Sequence, residues 1–162
     1  LFLMLSATVT QMIMNSYESA LAIMPQLAGF VPMLTGTGGN CGSQSSTLVI
    51  RGLAVGEIEF RDLLKVIWKE IRIAVCISIV LAVVNGLRIM LMGQGDALMA
   101  FTIGLTMACT VGIAKVVGCT LPLIAKRVGL DPAIMATPLI STLVDISTIS
   151  VYFAIVSAVF QL

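Results

Sequence analysis

Long apolar runs parted by short polar breaks leave this chain little choice of environment. A helix crossing the hydrocarbon core needs about 20 consecutive, mostly apolar residues, and the 162 residues supply several such stretches in succession. Only 10% of the residues are charged and 59% are hydrophobic, against about 25% charged in a soluble domain. Too few polar groups exist to cover a water-facing surface. The chain is therefore expected to be all-α and polytopic, with the lipid bilayer as its solvent, because lipid leaves every backbone amide to be satisfied within the protein.

The breaks set out five helical segments. Residues 1–15 read as the outer end of a first span, trimmed at its N-terminal side, and residues 15–19 as a short polar turn. Residues 20–50 are apolar but interrupted by Pro25, Pro32, Gly36, Gly38, Gly39 and Gly42. A third helix is expected from about Glu59 to Met92. It starts amphipathic, with Phe60, Leu63, Leu64, Ile67 and Ile71 at helical spacing against Arg61, Lys65, Lys69 and Arg72. Residues 93–96 form a tight loop, residues 97–124 a fourth span and residues 126–130 a turn. Asp131 and Pro132 then read as N-cap and first helical residue of a fifth span that runs to about Phe160. All of residues 1–162 form one domain without internal repeats. The apolar start has no basic region before it, which suits a membrane domain with its upstream part missing better than a signal peptide.

Basic residues orient these segments. The connection between the second and third carries Arg51, Arg61, Lys65, Lys69 and Arg72, and the turn before the fifth carries Lys126 and Arg127. The opposite side has Arg88 alone. The positive-inside rule places the two richer connections in the cytoplasm and the C-terminus outside, in a multi-pass protein of the cell (inner) membrane. Trp68 fits an interfacial anchor. A net charge of +1 excludes nucleic acid as a partner. With no histidine, Ser–His triads, imidazole acid–base chemistry and His metal ligands are excluded too. Cys41, Cys76, Cys109 and Cys119 lack CxxC spacing and read as small buried thiols.

Two charges lie deep in apolar segments, Asp145 and Lys115. A charged side chain in hydrocarbon costs about 2.5–3.5 kcal/mol on insertion scales, so each needs a reason. Steps of three and four place Thr137, Ser141, Asp145 and Thr148 on one helical stripe. Pro138 leaves the Ile134 carbonyl without its usual donor. One carboxylate, several hydroxyls and a loosened backbone make an oxygen-only set suited to a hard cation; the alternative is a protonated Asp145 bonded to a neighbouring helix. Lys115 is expected to snorkel towards headgroups, with pairing to Asp145 as the alternative.

The second element is the segment from Pro32 to Thr47. Gly36, Gly38, Gly39 and Gly42 each weaken a helix by about 1 kcal/mol relative to alanine. That cost inside a span points to close backbone approach, of helix on helix or of backbone on ion. Asn40, Ser43 and Gln44 add polar groups that lipid would leave unsatisfied.

Pro32, Gly38-Gly39-Asn40-Cys41-Gly42-Ser43-Gln44-Ser45, Arg51-Gly52-Leu53-Ala54 and Gly56-Glu57 together resemble the second-span signature of the MgtE magnesium transporters, relatives of the animal solute carrier family 41. Gly129-Leu130-Asp131-Pro132-Ala133, followed by Pro138, Thr142-Leu143 and Asp145, is similar to the last span of that family. The resemblance covers essentially the whole chain. It implies five transmembrane helices per protomer and a homodimer whose second and fifth helices line a central pore. It also implies a Mg²⁺ site centred on Asp145, with the main-chain carbonyl of Ser141 beside it. Thr137 stands where well-known members have asparagine. Gly36, Gly39, Asn40, Pro138 and Thr148 would line the pore, and cytoplasmic regulatory domains would precede Leu1. Transport rather than catalysis follows: hydrated Mg²⁺ entering the cytoplasm down its electrochemical gradient, with Mn²⁺, Co²⁺ or Ca²⁺ as substitutes. The alternative is a transporter or exchanger coupled to H⁺ or Na⁺. An intramembrane aspartyl protease needs two acids sharing a proton, and one chain offers a single deep one.

Overall fold

The computed structural model describes residues 2–135 and 137–161. Among them the chain is all-α: α1 (Phe2–Ser16), α2 (Glu18–Ile23), α3 (Gln26–Ala54), α4 (Leu63–Leu91), α5 (Ala97–Arg127), α6 (Pro132–Met135) and α7 (Thr137–Phe160), with a 3₁₀ turn at Phe60–Asp62 leading into α4. Helices long and apolar enough to cross a bilayer cover Phe60–Leu91, Ala97–Arg127 and Pro138–Phe160. α1, with 15 residues, is only about 22 Å long at 1.5 Å per residue. α3 has the length, at 29 residues, but its glycines, hydroxyls and amides dilute its apolar content.

The helix ends follow the expected signals. Asp96 Oδ1 accepts the Met99 amide at 2.9 Å and caps α5, and Asp131 Oδ1 accepts the Ala133 amide at 2.9 Å ahead of α6. α4 and α5 close alike: Gly93 and Gly129 take φ of 63° and 80°, and the next amide reaches back to the carbonyl five residues earlier, Gln94 to Ile89 at 3.0 Å and Leu130 to Ala125 at 2.9 Å. Only glycine enters that left-handed region without strain.

α5 is the hub, packed against α3, α4 and α7, while α7 also meets α1. Ile103, Met107, Val111 and Leu123 of α5 are fully buried, as are Ile140, Val144, Tyr152 and Phe153 of α7. The Tyr152 hydroxyl donates to the Leu27 carbonyl at 2.9 Å and pins α7 to the first turn of α3. By contrast α4 leaves Leu64, Trp68, Val75, Ile79, Val83 and Leu87 exposed, an apolar face suited to acyl chains. All four cysteines are free; Cys41 and Cys119 are buried as expected, but Cys76 is exposed on α4.

The interruption expected in residues 20–50 falls at Pro25 and not beyond it: α2 ends at Ile23, and α3 starts at Gln26 and runs unbroken through Pro32 and all four glycines. Packing overrides propensity because a Cβ on Gly118 of α5 would collide with the Gly42 carbonyl and lie 3.0 Å from the Gly42 Cα. A Cβ on Gly38 would meet Thr110 of α5 and Val144 of α7, each at 2.8 Å. Gly36 and Gly39 have nothing within 4 Å of such a Cβ. Two glycines therefore serve helix packing and two face open space. Gly118→Val should destabilise the protein by about 1–3 kcal/mol, as overpacking does, whereas Gly39→Ala, with open space at its Cβ, should stabilise it by up to about 1 kcal/mol; unfolding in detergent micelles measures both.

Candidate ion-binding groove

Asp145 sits half-buried in α7, about a third of the way along the helix. Beside it, Pro32, Gly36, Gly39 and Asn40 of α3 and Ser141 and Asp145 of α7 line one groove of about 410 Å³, with Thr35 and Ser43 completing the α3 wall. Helical rotation explains the α3 wall. Gly38 and Gly42 point inward, and residues two positions away lie about 200° round the helix at 3.6 residues per turn, so Gly36 and Asn40 face outward. Both are exposed. Thr35 is satisfied within α3, its hydroxyl donating to the Val31 carbonyl at 3.0 Å.

The groove thus unites Asp145, Ser141, Asn40, Gly39 and Gly36, five of the residues singled out from the sequence. The others stand apart. Thr148 is 1% exposed, and its hydroxyl lies 3.2 Å from where a Gly38 Cβ would be, in the α3–α7 packing seam. Pro138 is exposed at the start of α7 and lines neither this groove nor the one between α1 and α7. The side chain of Thr137 lies outside the described residues.

Asp145 takes no part in the ion pairs found among the described residues. No group of three or more Cys, Asp or Glu side chains able to hold a metal occurs among the described residues. The groove offers one carboxylate in a wall of hydroxyl, amide and backbone oxygens. Such a set accepts hydrogen bonds from the inner water of a hard cation more readily than it replaces that water, and Mg²⁺ in particular dehydrates reluctantly.

Lys115 corrects the sequence reading. It neither snorkels nor meets Asp145: its Nζ lies 3.3 Å from Glu70 Oε2, with both side chains 5% exposed. Ser45 of α3 donates its hydroxyl to the same carboxylate oxygen. A lone buried charge would be prohibitive, so the lysine is held only because a carboxylate and a hydroxyl neutralise and solvate it. Glu70 was the residue that sequence reasoning missed. Its signal was positional: it follows Leu63 by seven residues and Ile67 by three, in register with the apolar stripe of α4 rather than its basic one.

The family model described as a divalent cation transporter, MgtE, matches residues 31–155. The magnesium transporter MgtE of Thermus thermophilus is 35% identical over 157 residues, which are 94% of this chain and 34% of that protein. That of Bacillus subtilis is 36% identical over 146 residues, 90% of this chain and 32% of its own length. The Enterococcus faecalis protein is 33% identical over 151 residues, 91% and 32% of the respective chains. The chain therefore spans about a third of the length of the curated relatives it matches.

Lys115→Met alone strands Glu70 in the core and should cost about 3–5 kcal/mol, while Lys115→Met combined with Glu70→Leu should recover most of that loss. Unfolding of these two and of Glu70→Leu alone in micelles completes the double-mutant cycle that checks the pairing.

Proposed function

The chain belongs to the MgtE family of divalent cation transporters, and from that premise we propose that it carries hydrated Mg²⁺ into the cytoplasm, with Asp145 as the station where the ion pauses. The observation that carries this reading is the groove itself: the one deep acid without an ion-pair partner among the described residues shares a 410 Å³ space with the glycine and asparagine face of α3. Carboxylate and carbonyl oxygens accept hydrogen bonds from the ion's water, the main-chain carbonyl of Ser141 among them. A water-mediated hold is weak enough to release the ion, as conduction requires.

A second copy of the chain completes the site in this reading. Gly36, Asn40 and Gln44 are exposed on α3, and lipid would leave the two amides unsatisfied; water and a partner's α3 would not. Two Asp145 carboxylates across a two-fold axis supply −2, the charge match for one divalent ion, and the ion between them offsets their repulsion. The protomer would cross the membrane five times. The connections bearing Arg51, Arg61, Lys65, Lys69, Arg72, Lys126 and Arg127 would face the cytoplasm, with the C-terminus outside. An inside-negative potential contributes about 2.3 kcal/mol per charge per 100 mV, hence about twice that for Mg²⁺, so no coupled reaction is needed. Mn²⁺, Co²⁺ and Ca²⁺ meet the same oxygen set.

In proteoliposomes loaded with a Mg²⁺-sensitive dye, Asp145→Ala should reduce influx by at least about tenfold through loss of the central charge. Undiminished influx would reject the station. Under an imposed potential, influx in the parent should persist with proton and sodium gradients collapsed; its disappearance would favour the coupled transporter.

A further inference from the structure

Asp145 lies between two grooves, and only the one walled by α3 has so far a role. The other, about 610 Å³, opens between α1 and α7. Its α1 wall presents Ser6, Thr10, Gln11 and Asn15 towards Ser141 and Asp145. α1 has two further polar residues, Thr8 and Ser16, which lie outside the groove and return their hydroxyls to α1's own backbone, to the Met4 and Met12 carbonyls at 2.9 Å each. The four groove residues do not: among the described residues none of them makes a side-chain hydrogen bond. The polar groups of α1 are thus sorted by position, self-satisfied outside the groove and open inside it.

Spacings of four stack Thr10 on Ser6 and Asn15 on Gln11; the two pairs lie on neighbouring faces, about 100° apart between Thr10 and Gln11, so the groove crosses α1 obliquely. The lane they form is about 13 Å long at 1.5 Å per residue. Its donors are hydroxyl and amide oxygens, hard and uncharged, and it ends at a carboxylate. Six waters round a Mg²⁺ ion occupy about 180 Å³ at about 30 Å³ each, well within the groove. Amides facing hydrocarbon would be left unsatisfied, whereas water in the groove serves them all.

We infer that this lane is the outer approach by which hydrated divalent cations reach Asp145, with the Thr10 hydroxyl and the Gln11 amide oxygen accepting hydrogen bonds from the ion's water. The inference rests on the reading of Asp145 as the cation station and adds α1 to the wall of the path. Gln11 is its specificity-bearing position, since a charge placed there sits on the lane beside the carboxylate.

The test uses the full chain in proteoliposomes with a Mg²⁺-sensitive dye and Mg²⁺ as the probe. Gln11→Lys should cut initial influx at least about tenfold, as a unit charge about 10 Å from a divalent ion does at an effective dielectric of about 40. Gln11→Glu should lower the half-saturating Mg²⁺ concentration by a similar factor. Thr8→Val, outside the groove, should keep the parental influx. If Gln11→Lys fails to insert, Gln11→Glu decides, since it adds charge of the accepted sign. Parental influx and half-saturation in Gln11→Lys and Gln11→Glu would overturn the lane, while a silent Asp145→Asn measured alongside would leave the station standing. Full influx in Asp145→Asn would remove the station and the lane together.

Discussion

The groove depends on how closely α3 and α5 approach at Gly42 and Gly118, where a single added methyl would strike main chain. That contact fixes the rotation of α3 about its own axis. With Gly38 and Gly42 turned inward against α5 and α7, the helical period leaves Gly36 and Asn40 on the opposite side. A bulkier seam would push α3 outward and turn its polar face away from Asp145. Helix association in lipid has no hydrophobic drive between apolar surfaces, so close backbone packing of small residues has to supply the adhesion. The same stretch of sequence therefore both joins the helices and shapes the space beside the acid.

Charge placement follows the same division between inside and groove. Lys115 is the one cation of α5 remote from its C-terminal turn, and a lysine on the groove wall would repel any cation. It is instead turned to the α3–α4 side, where Glu70 and Ser45 meet it. Ser45 lies three residues past Gly42, so the close crossing also brings the hydroxyl within reach of the carboxylate. The pair joins α3, α4 and α5 through directional contacts in a protein where apolar packing alone is a weak discriminator of arrangement.

Much of this was legible in the sequence, for physical reasons that can be named. Helix ends were readable because Gly93, Asp96, Gly129, Asp131 and Pro132 act locally, through φ or a single side-chain bond. Asp145 was readable because the cost of a buried acid makes it conspicuous wherever the chain folds. The partner of Lys115 was not, since pairing across helices depends on the rotation of α4, and Glu70 sits beside the basic Lys69 and Arg72. Thr148 misled for a related reason: a stripe defined by steps of three and four is wide, and its edge at Thr148 rolls into the seam with Gly38. The two roles of the glycines were equally open until the rotation of α3 was known, because composition cannot say which side of a helix meets a neighbour.

The proposal of a second protomer starts from α3. Enough residues are present to cross a bilayer, yet their face towards the groove is built from glycine, hydroxyl and amide groups. Lipid against that face would leave Asn40 and Gln44 without partners, and both are exposed. Water satisfies them, and water stays in a membrane only where protein encloses it. In the proposed dimer a second α3 facing the first would enclose it with the fewest new elements, and would also bring a second carboxylate to a groove that holds Asp145 alone among its lining acids. The polarity of α3 and the lack of an ion-pair partner for Asp145 among the described residues are thus the two observations behind the proposed hydrated space between chains.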